Sequence, residues 1–161
     1  MEKRPSKSKY YLDIAQAIAQ RSTCLRRKFG AVIVKDDQIV SCGYNGAPRG
    51  APNCIDIGKC AREELSVPAG ERYELCRAVH AEANSVINAA RSGVSVLGGT
   101  MYLYGENTDG SVSENLMPCQ MCRRVIVNSG IEKVVVLHKE GAKEFFSKDW
   151  IGSDDVSIKG Y

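Results

Sequence analysis

The sequence predicts an α/β layered domain with a mixed sheet. Three patterns carry that expectation: an amphipathic helical stretch that leads into a hairpin, strands alternating with helices beyond residue 80, and the apolar run Val134-Val135-Val136-Leu137, of the kind buried parallel strands show. At 161 residues the chain suits one domain with a real core and is too short for two ordinary ones. A single domain over residues 1–161 is therefore expected.

Over residues 9–22, Tyr11, Ile14, Ala15 and Ile18 recur at helical spacing and predict an amphipathic first helix; the basic residues 1–8 before it are expected to be a flexible tail. Ala31-Val32-Ile33-Val34 and Ile39-Val40-Ser41-Cys42 flank the polar turn Lys35-Asp36-Asp37-Gln38, which predicts a hairpin with Cys42 as a buried strand thiol. Residues 44–77 are rich in Gly, Pro and Cys, with weak periodicity around residues 61–65. They read as a long loop with one short helix, and a loop of that length needs something to order it. Ala83, Val86, Ile87 and Ala90 mark a second helix stopped by Ser92-Gly93. Thr100-Met101-Tyr102-Leu103-Tyr104 is a third strand, and a polar loop follows it. Cys122, Val125 and Ile126 give a third helix ending at Ser129-Gly130, before the apolar strand at residues 133–137. Beyond Lys139 the pattern thins to one turn of helix over residues 142–146 and a weak strand over residues 156–159.

Composition excludes several classes. With 43% apolar and 25% charged residues, the chain resembles neither a disordered nor a fibrous protein. No apolar run approaches the roughly 20 residues of a membrane span, and the basic start lacks the apolar segment of a secretory signal or anchor. A cytoplasmic location is expected. A net charge of +3 is small beside the basic stripe of a duplex-binding protein, so nucleic acid is not demanded. In a reducing compartment seven cysteines point to metal ligands or reactive thiols before disulfides.

The chemistry concentrates in two segments, His80-Ala81-Glu82 and Pro118-Cys119-Gln120-Met121-Cys122, each opening a predicted helix. Two cysteines three apart at a helix start can turn toward one metal, and a histidine from a neighbouring helix supplies a third ligand. Three protein ligands leave a tetrahedral zinc with one open position, as in catalytic sites. Zinc lowers the pKa of bound water from 15.7 to roughly 7, and helix N-termini favour thiolate. Glu82 is the expected proton carrier, although residues two apart on a regular helix do not share a face. A lone CxxC is often a redox pair or half a structural site, and HAE alone is common. Together and in this order the segments match the H-x-E…P-C-x-x-C signature of zinc deaminases. His138, the other histidine of two, has no ligand-like neighbours in sequence and is expected to be structural.

Further segments carry a family resemblance. Arg21-Ser22-Thr23-Cys24, Gly30-Ala31-Val32-Ile33-Val34, Gly43-Tyr44-Asn45-Gly46-Ala47-Pro48 and Glu74-Leu75-Cys76-Arg77, with His80-Ala81-Glu82, resemble the deoxycytidylate deaminases of the cytidine/deoxycytidylate deaminase superfamily over residues 10–136. The resemblance implies a three-layer cytidine-deaminase-like fold, a mixed five-stranded sheet packed between helices. It implies hydrolysis of dCMP to dUMP and ammonia, with Glu82 catalytic and His80, Cys119 and Cys122 holding zinc. Asn45 is placed at the sugar and Ala81 in the substrate-binding set. Arg26 or Arg27 is expected to meet a 5′-phosphate by a bidentate contact. Some members carry a second, structural zinc, here assigned to Cys24, Cys54, Cys60 and Cys76, although buried thiols would also explain two or three of these. Members are usually hexamers, and dCTP and dTTP can regulate them.

The stretch from residue 105 to 117 is longer than the few residues members usually place before the Pro-Cys motif, and it lies beside the expected pocket. A deaminase of another nucleotide, nucleoside or base is the nearest alternative reading. A tRNA adenosine deaminase fits less well, given Gly-Tyr-Asn-Gly and the modest charge. From another class, the chain could be a non-catalytic, zinc-stabilised nucleotide-sensing module, which would not need Glu82.

Overall fold

The structure is a computed structural model and describes residues 4–152. Helix α1 (Lys7–Ala19) starts inside the stretch expected to be a tail. Ser6 caps it, accepting the Lys9 backbone N–H at 3.2 Å, and Lys9 pairs with Asp13 one turn on at 2.8 Å. Local capping overrides the polar composition there.

Strands β1 (Arg27–Lys35) and β2 (Gln38–Tyr44) form the expected hairpin. Its turn residues Asp36 and Asp37 have φ of 49° and 62°, the paired positive values that match a right-handed strand twist. β3 (Thr100–Asn107) pairs antiparallel with β1, β4 (Lys133–His138) lies parallel to β3, and β5 (Gly141–Phe146) returns antiparallel to β4. The sheet order is β2-β1-β3-β4-β5.

β5 corrects the expectation of a helical turn over residues 142–146. All of its residues but Phe145 are exposed, so no apolar alternation marks it as a strand. Pairing with β4 and a tight turn through Gly141, at φ 118°, decide its conformation. The strand expected over residues 156–159 lies outside the described residues.

Both faces of the sheet are covered, which is why the central strands read as continuous apolar runs. On one face Tyr11, Leu12, Ala15 and Ala19 of α1 meet Val32, Val34, Tyr102, Tyr104 and Val135. On the other, helices α4 (Ala81–Arg91) and α5 (Gln120–Ser129) bring Ala81, Ala89 and Ile126 onto Ala31, Ile33, Met101, Leu103, Val134 and Val136. Period-two alternation along β1 thus feeds two cores. Each fully buried aliphatic side chain contributes about 1.5–3 kcal/mol.

Close approach sets the position of the helices. At Gly30 a Cβ would lie 2.1 Å from the Ala15 carbonyl oxygen of α1, and at Gly43 it would lie 2.5 Å from the Ser85 nitrogen and 2.8 Å from the Ala81 carbonyl oxygen of α4. Only glycine admits these backbones so near the sheet. Asn84 and Asn88, one turn apart on α4, donate to the Tyr44 and Cys42 carbonyls of edge strand β2, both at 2.8 Å. Cys42 itself is exposed, contrary to expectation, because β2 is an edge strand whose outer side chains nothing covers.

At the far end of β3, Glu106 is buried and bonded by Gln20 at 3.0 Å and by the Tyr104 hydroxyl at 2.8 Å, with the Lys28 ammonium 3.6 Å away. Burial alone would raise its carboxyl; the Gln20 and Tyr104 hydrogen bonds and the Lys28 charge outweigh that and hold it below the usual range.

Gly43→Ala is expected to cost about 1–3 kcal/mol by overpacking backbone against backbone, read as a lower urea midpoint; an unchanged midpoint would contradict the close approach. Glu106 stabilises the fold above the unfolded carboxylate pKa of about 4.3 and loses that contribution as pH falls through its lower folded value. Glu106→Gln should therefore flatten the acid limb of stability against pH, measured by urea denaturation. An acid limb as steep as the parent's would assign that slope to other carboxylates.

Candidate metal centre

His80 and Cys119 are the N-cap residues of α4 and α5, both with extended backbones (φ −69°, ψ 155° and φ −66°, ψ 166°) and neither spending its side chain on a capping bond. Their side chains are free to meet. The His80 Nδ1 lies 3.5 Å from the Cys119 Sγ and 3.5 Å from the Cys122 Sγ, and all three ligand atoms fall within 4.8 Å of one another. Tetrahedral zinc, with bonds of about 2.3 Å to sulfur and about 2.0–2.1 Å to nitrogen, sets N and S roughly 3.5 Å apart. The donor set fits that ion: two cysteine sulfurs and an imidazole nitrogen, which would give up their protons on binding zinc, with room for a fourth ligand.

The extended N-cap also resolves how Glu82 reaches the centre. His80 precedes the helix, so the rule that residues two apart face away from each other does not apply to this pair. Glu82 is 5% exposed, and its carboxyl meets the Cys122 side chain. Burial raises the Glu82 carboxyl above the ordinary carboxylate range, the state suited to exchanging protons near neutrality. The Cys119 thiol is lowered to about 4 by its hydrogen bond with Cys122 and by His80, which makes it a thiolate. Burial by itself would lower His80, but Cys119, Cys76 and Glu82 push it up to about 11.

A cavity of about 250 Å³ opens over these groups, with His80, Glu82 and Cys119 in its wall. Arg26, Arg27 and Asn45, named above as candidate substrate contacts, are among the residues that line it. Asn45 is 5% exposed and braced on β1: its Oδ1 accepts the Phe29 N–H at 2.8 Å and its Nδ2 donates to the Arg27 carbonyl at 3.0 Å. One amide hydrogen remains for a ligand. Arg26 is paired with Glu63 at 3.2 Å, and Arg27 is exposed. Ala81, expected in the substrate-binding set, turns its side chain away from the cavity. It is fully buried in the core and absent from the cavity wall, because the first turn of α4 directs its side chain at the sheet.

Residues 105–117 build one wall. Val112 bridges back to Glu106, the Ser113 N–H donates to the Gly105 carbonyl at 2.9 Å, and residues 113–117 face the cavity. His138 is structural, as expected: from the end of β4, its Nε2 donates to the Leu116 carbonyl at 3.0 Å and holds the insertion down.

Residues 44–77 contain two single-turn helices, α2 (Cys54–Ile57) and α3 (Ala61–Glu64), and a 3-10 turn at Tyr73–Leu75, more structure than the one short helix expected. The loop is closed at its base, where Gly46 and Val79 exchange backbone hydrogen bonds of 3.1 and 2.8 Å. That bridge sets His80 one residue further on. Among the described residues, His80, Cys119 and Cys122 are the group that converges as metal donors; Cys24, Cys54, Cys60 and Cys76 do not close to that separation. Burial pushes the Cys54 thiol up, and Cys24, Cys76 and Cys60 raise it further, so the four are neighbours. Cys76 lies close enough to His80 for the imidazole to lower its thiol, a proximity its sequence position did not announce.

Arg62 and Tyr73 are the residues of this region that sequence reasoning passed over. The guanidinium sits over the Tyr73 ring at 4.5 Å, and that ring meets the His80 imidazole edge-on at 5.3 Å. Only a buried arginine in a Gly/Pro-rich segment, where most charges are solvated, could have drawn attention.

The family model described as the cytidine and deoxycytidylate deaminase zinc-binding region matches residues 5–138. The deoxycytidylate deaminase of Mycobacterium phage D29 is 42% identical, over 82% of this chain and 94% of that protein. The deoxycytidylate deaminase of Schizosaccharomyces pombe is 35% identical over 82% of this chain, which spans 37% of that longer protein. Among solved structures, the dCMP deaminase of cyanophage S-TIM5, in complex with dCMP and dUMP, superimposes with a TM-score of 0.60 at 27% identity, covering 84% of this chain and 83% of that one. The cytidine deaminase of Mycobacterium tuberculosis, 19% identical over 92% and 97% of the two chains, shares the fold at a TM-score of 0.54.

Elemental analysis of purified protein is the direct check on the centre. Cys119→Ala and Cys122→Ala are each expected to lose the zinc that the parent carries at this centre, whereas Cys42→Ala keeps it. Retention of that zinc in both ligand variants would move the metal elsewhere.

Proposed function

The chain belongs to the cytidine and deoxycytidylate deaminase family, and we propose that it hydrolyses dCMP to dUMP and ammonia in pyrimidine deoxynucleotide metabolism. The observation that carries this reading is the buried Glu82 carboxyl beside a His80–Cys119–Cys122 donor set, at the wall of a cavity that arginines also line. The phage D29 relative points to dCMP as the substrate.

In this reading His80, Cys119 and Cys122 hold zinc, which when bound makes water acidic enough to yield a nucleophile at neutral pH. Glu82 takes one proton of the hydrolytic water on its carboxylate and delivers it to N3 as the water oxygen bonds to C4 of the cytosine; it then takes the remaining proton from the C4 hydroxyl and passes it to the 4-amino nitrogen, which leaves as ammonia when the C4–N bond breaks. Burial of Glu82 raises the carboxyl above the ordinary carboxylate range, which favours returning the proton. Asn45, held rigid by β1, offers its remaining amide hydrogen to the sugar. Arg26 and Arg27 give the cavity mouth the positive charge that attracts a nucleotide phosphate.

The finer parts of the reading rest on the family. A second, structural zinc on Cys24, Cys54, Cys60 and Cys76 is supported by the mutual proximity of those thiols, and would require them to draw closer on metal binding. Exposed apolar side chains such as Leu65 and Leu97 would be buried by self-association; a cytoplasmic hexamer regulated by dCTP and dTTP follows from the family resemblance alone. No helix among the described residues is long and apolar enough to cross a membrane.

Ammonia release should be faster from dCMP than from CMP, deoxycytidine or guanine; a better substrate elsewhere in that panel would overturn the assignment and leave the deaminase chemistry intact. Glu82→Gln should retain its zinc and lose at least about 10²-fold in kcat. A zinc-loaded, active Glu82→Gln protein would remove the glutamate from its role.

A further inference from the structure

The search for unused chemistry ends at Arg62. Its side chain is 6% exposed, it lines the same cavity as Glu82, and it forms no ion pair among the described residues. Every other cation on that wall is solvated or paired: Arg27 is exposed and Arg26 faces Glu63. An ion taken out of water costs several kcal/mol unless partners compensate it. Here compensation is incomplete. Nη2 donates to the Pro68 carbonyl at 2.8 Å and the Glu71 carbonyl at 2.5 Å, the Tyr73 ring covers one face, and Nε has no acceptor at all. Across the cavity Ser113, 4% exposed and part of the 105–117 insertion, leaves its Oγ without a partner as well.

We propose that Arg62 is the anchor for the phosphate of the nucleotide substrate, a buried guanidinium whose missing counter-charge is the phosphomonoester dianion. The proposal rests on the dCMP reading and deepens it. With both Nη2 hydrogens given to carbonyls, the guanidinium still has its Nε and Nη1 hydrogens to offer phosphate oxygens, and it keeps its charge when buried, as an ammonium does not. The two carbonyls and Tyr73 fix the plane of the guanidinium, so little order is lost when the anion arrives. Arg26 and Arg27 then attract the dianion at the mouth, and Arg62 holds it inside. Because Tyr73 joins Arg62 to His80, the phosphate end and the reacting end of the substrate are placed by one continuous set of contacts. Nothing else in the cavity gives a nucleotide an advantage over its nucleoside from so dry a position.

Steady-state kinetics on the zinc-loaded full-length enzyme decide it. Arg62→Met should raise KM for dCMP by about ten- to hundredfold, the range for a lost charged hydrogen bond, with kcat at saturating dCMP within about threefold of the parent. Competitive inhibition by inorganic phosphate should weaken in parallel, and Arg62→Lys should recover part of the affinity. If kcat and KM change together, or KM and phosphate inhibition stay at parent values, Arg62 is structural and the proposal falls. Should Arg62→Met fail to fold, Arg62→Lys carries the same test, because it retains a charge while losing the Nε and Nη1 donors. A parent enzyme that turns over deoxycytidine as well as dCMP overturns both the nucleotide reading and the anchor. A parent preference for dCMP that survives in the variants overturns the anchor alone.

Discussion

Two helices begin with residues that do not cap them. Backbone N–H groups at a helix start usually take a side-chain acceptor from the N-cap residue, and here those positions are given to His80 and Cys119, whose side chains turn instead toward each other. The 3.5 Å meeting of imidazole and thiolates is the contact to which the rest of the molecule is fitted. It requires α4 and α5 to lie on the same face of the sheet, and α4 to approach β2 so closely that Gly43 admits no side chain. It also requires the long loop before His80 to return to its own starting point, which the Gly46–Val79 bridge achieves. Local helix stability is given up at two termini and recovered through burial of the helices on the core.

Much of this was legible in the residues. The ligand triad and Glu82 could be read because metal chemistry demands particular residue types at particular spacings, and helix starts leave strong signals. The two-sided sheet could be read because Val32 and Val34 are apolar as well as Ala31 and Ile33. What stayed hidden had no pattern of its own. β5 is an exposed edge strand, ordered by pairing with β4 and not by burial, so hydrophobic alternation could not reveal it. Cys42 was misjudged because a strand at the edge of a sheet lacks the cover that a central strand has. Arg62 was missed because burial of a charge inside an irregular loop is a tertiary fact, invisible to periodicity.

Electrostatically the cavity is divided. Its floor holds a thiolate and a carboxyl raised by burial, groups suited to a cation and to proton exchange. Its walls carry arginines in graded degrees of burial, from exposed Arg27 through half-buried Arg26 to enclosed Arg62. Opposite signs at the two ends suit an elongated ligand with an anionic tail and a reactive ring.

The wall built by residues 105–117 is stitched to the sheet at its base by Gly105–Ser113 and Glu106–Val112, and at its exit by His138. Between the first stitches lies a solvent-exposed turn, residues 108–111, whose bonds are internal to it or made to Asn107 at the end of β3. Length can therefore change at that turn without disturbing either anchor, since loop closure grows costly only slowly with added residues. The molecule thus offers a graft point: a region where new sequence can be spliced to explore different ligands while the reaction centre keeps its inherited geometry.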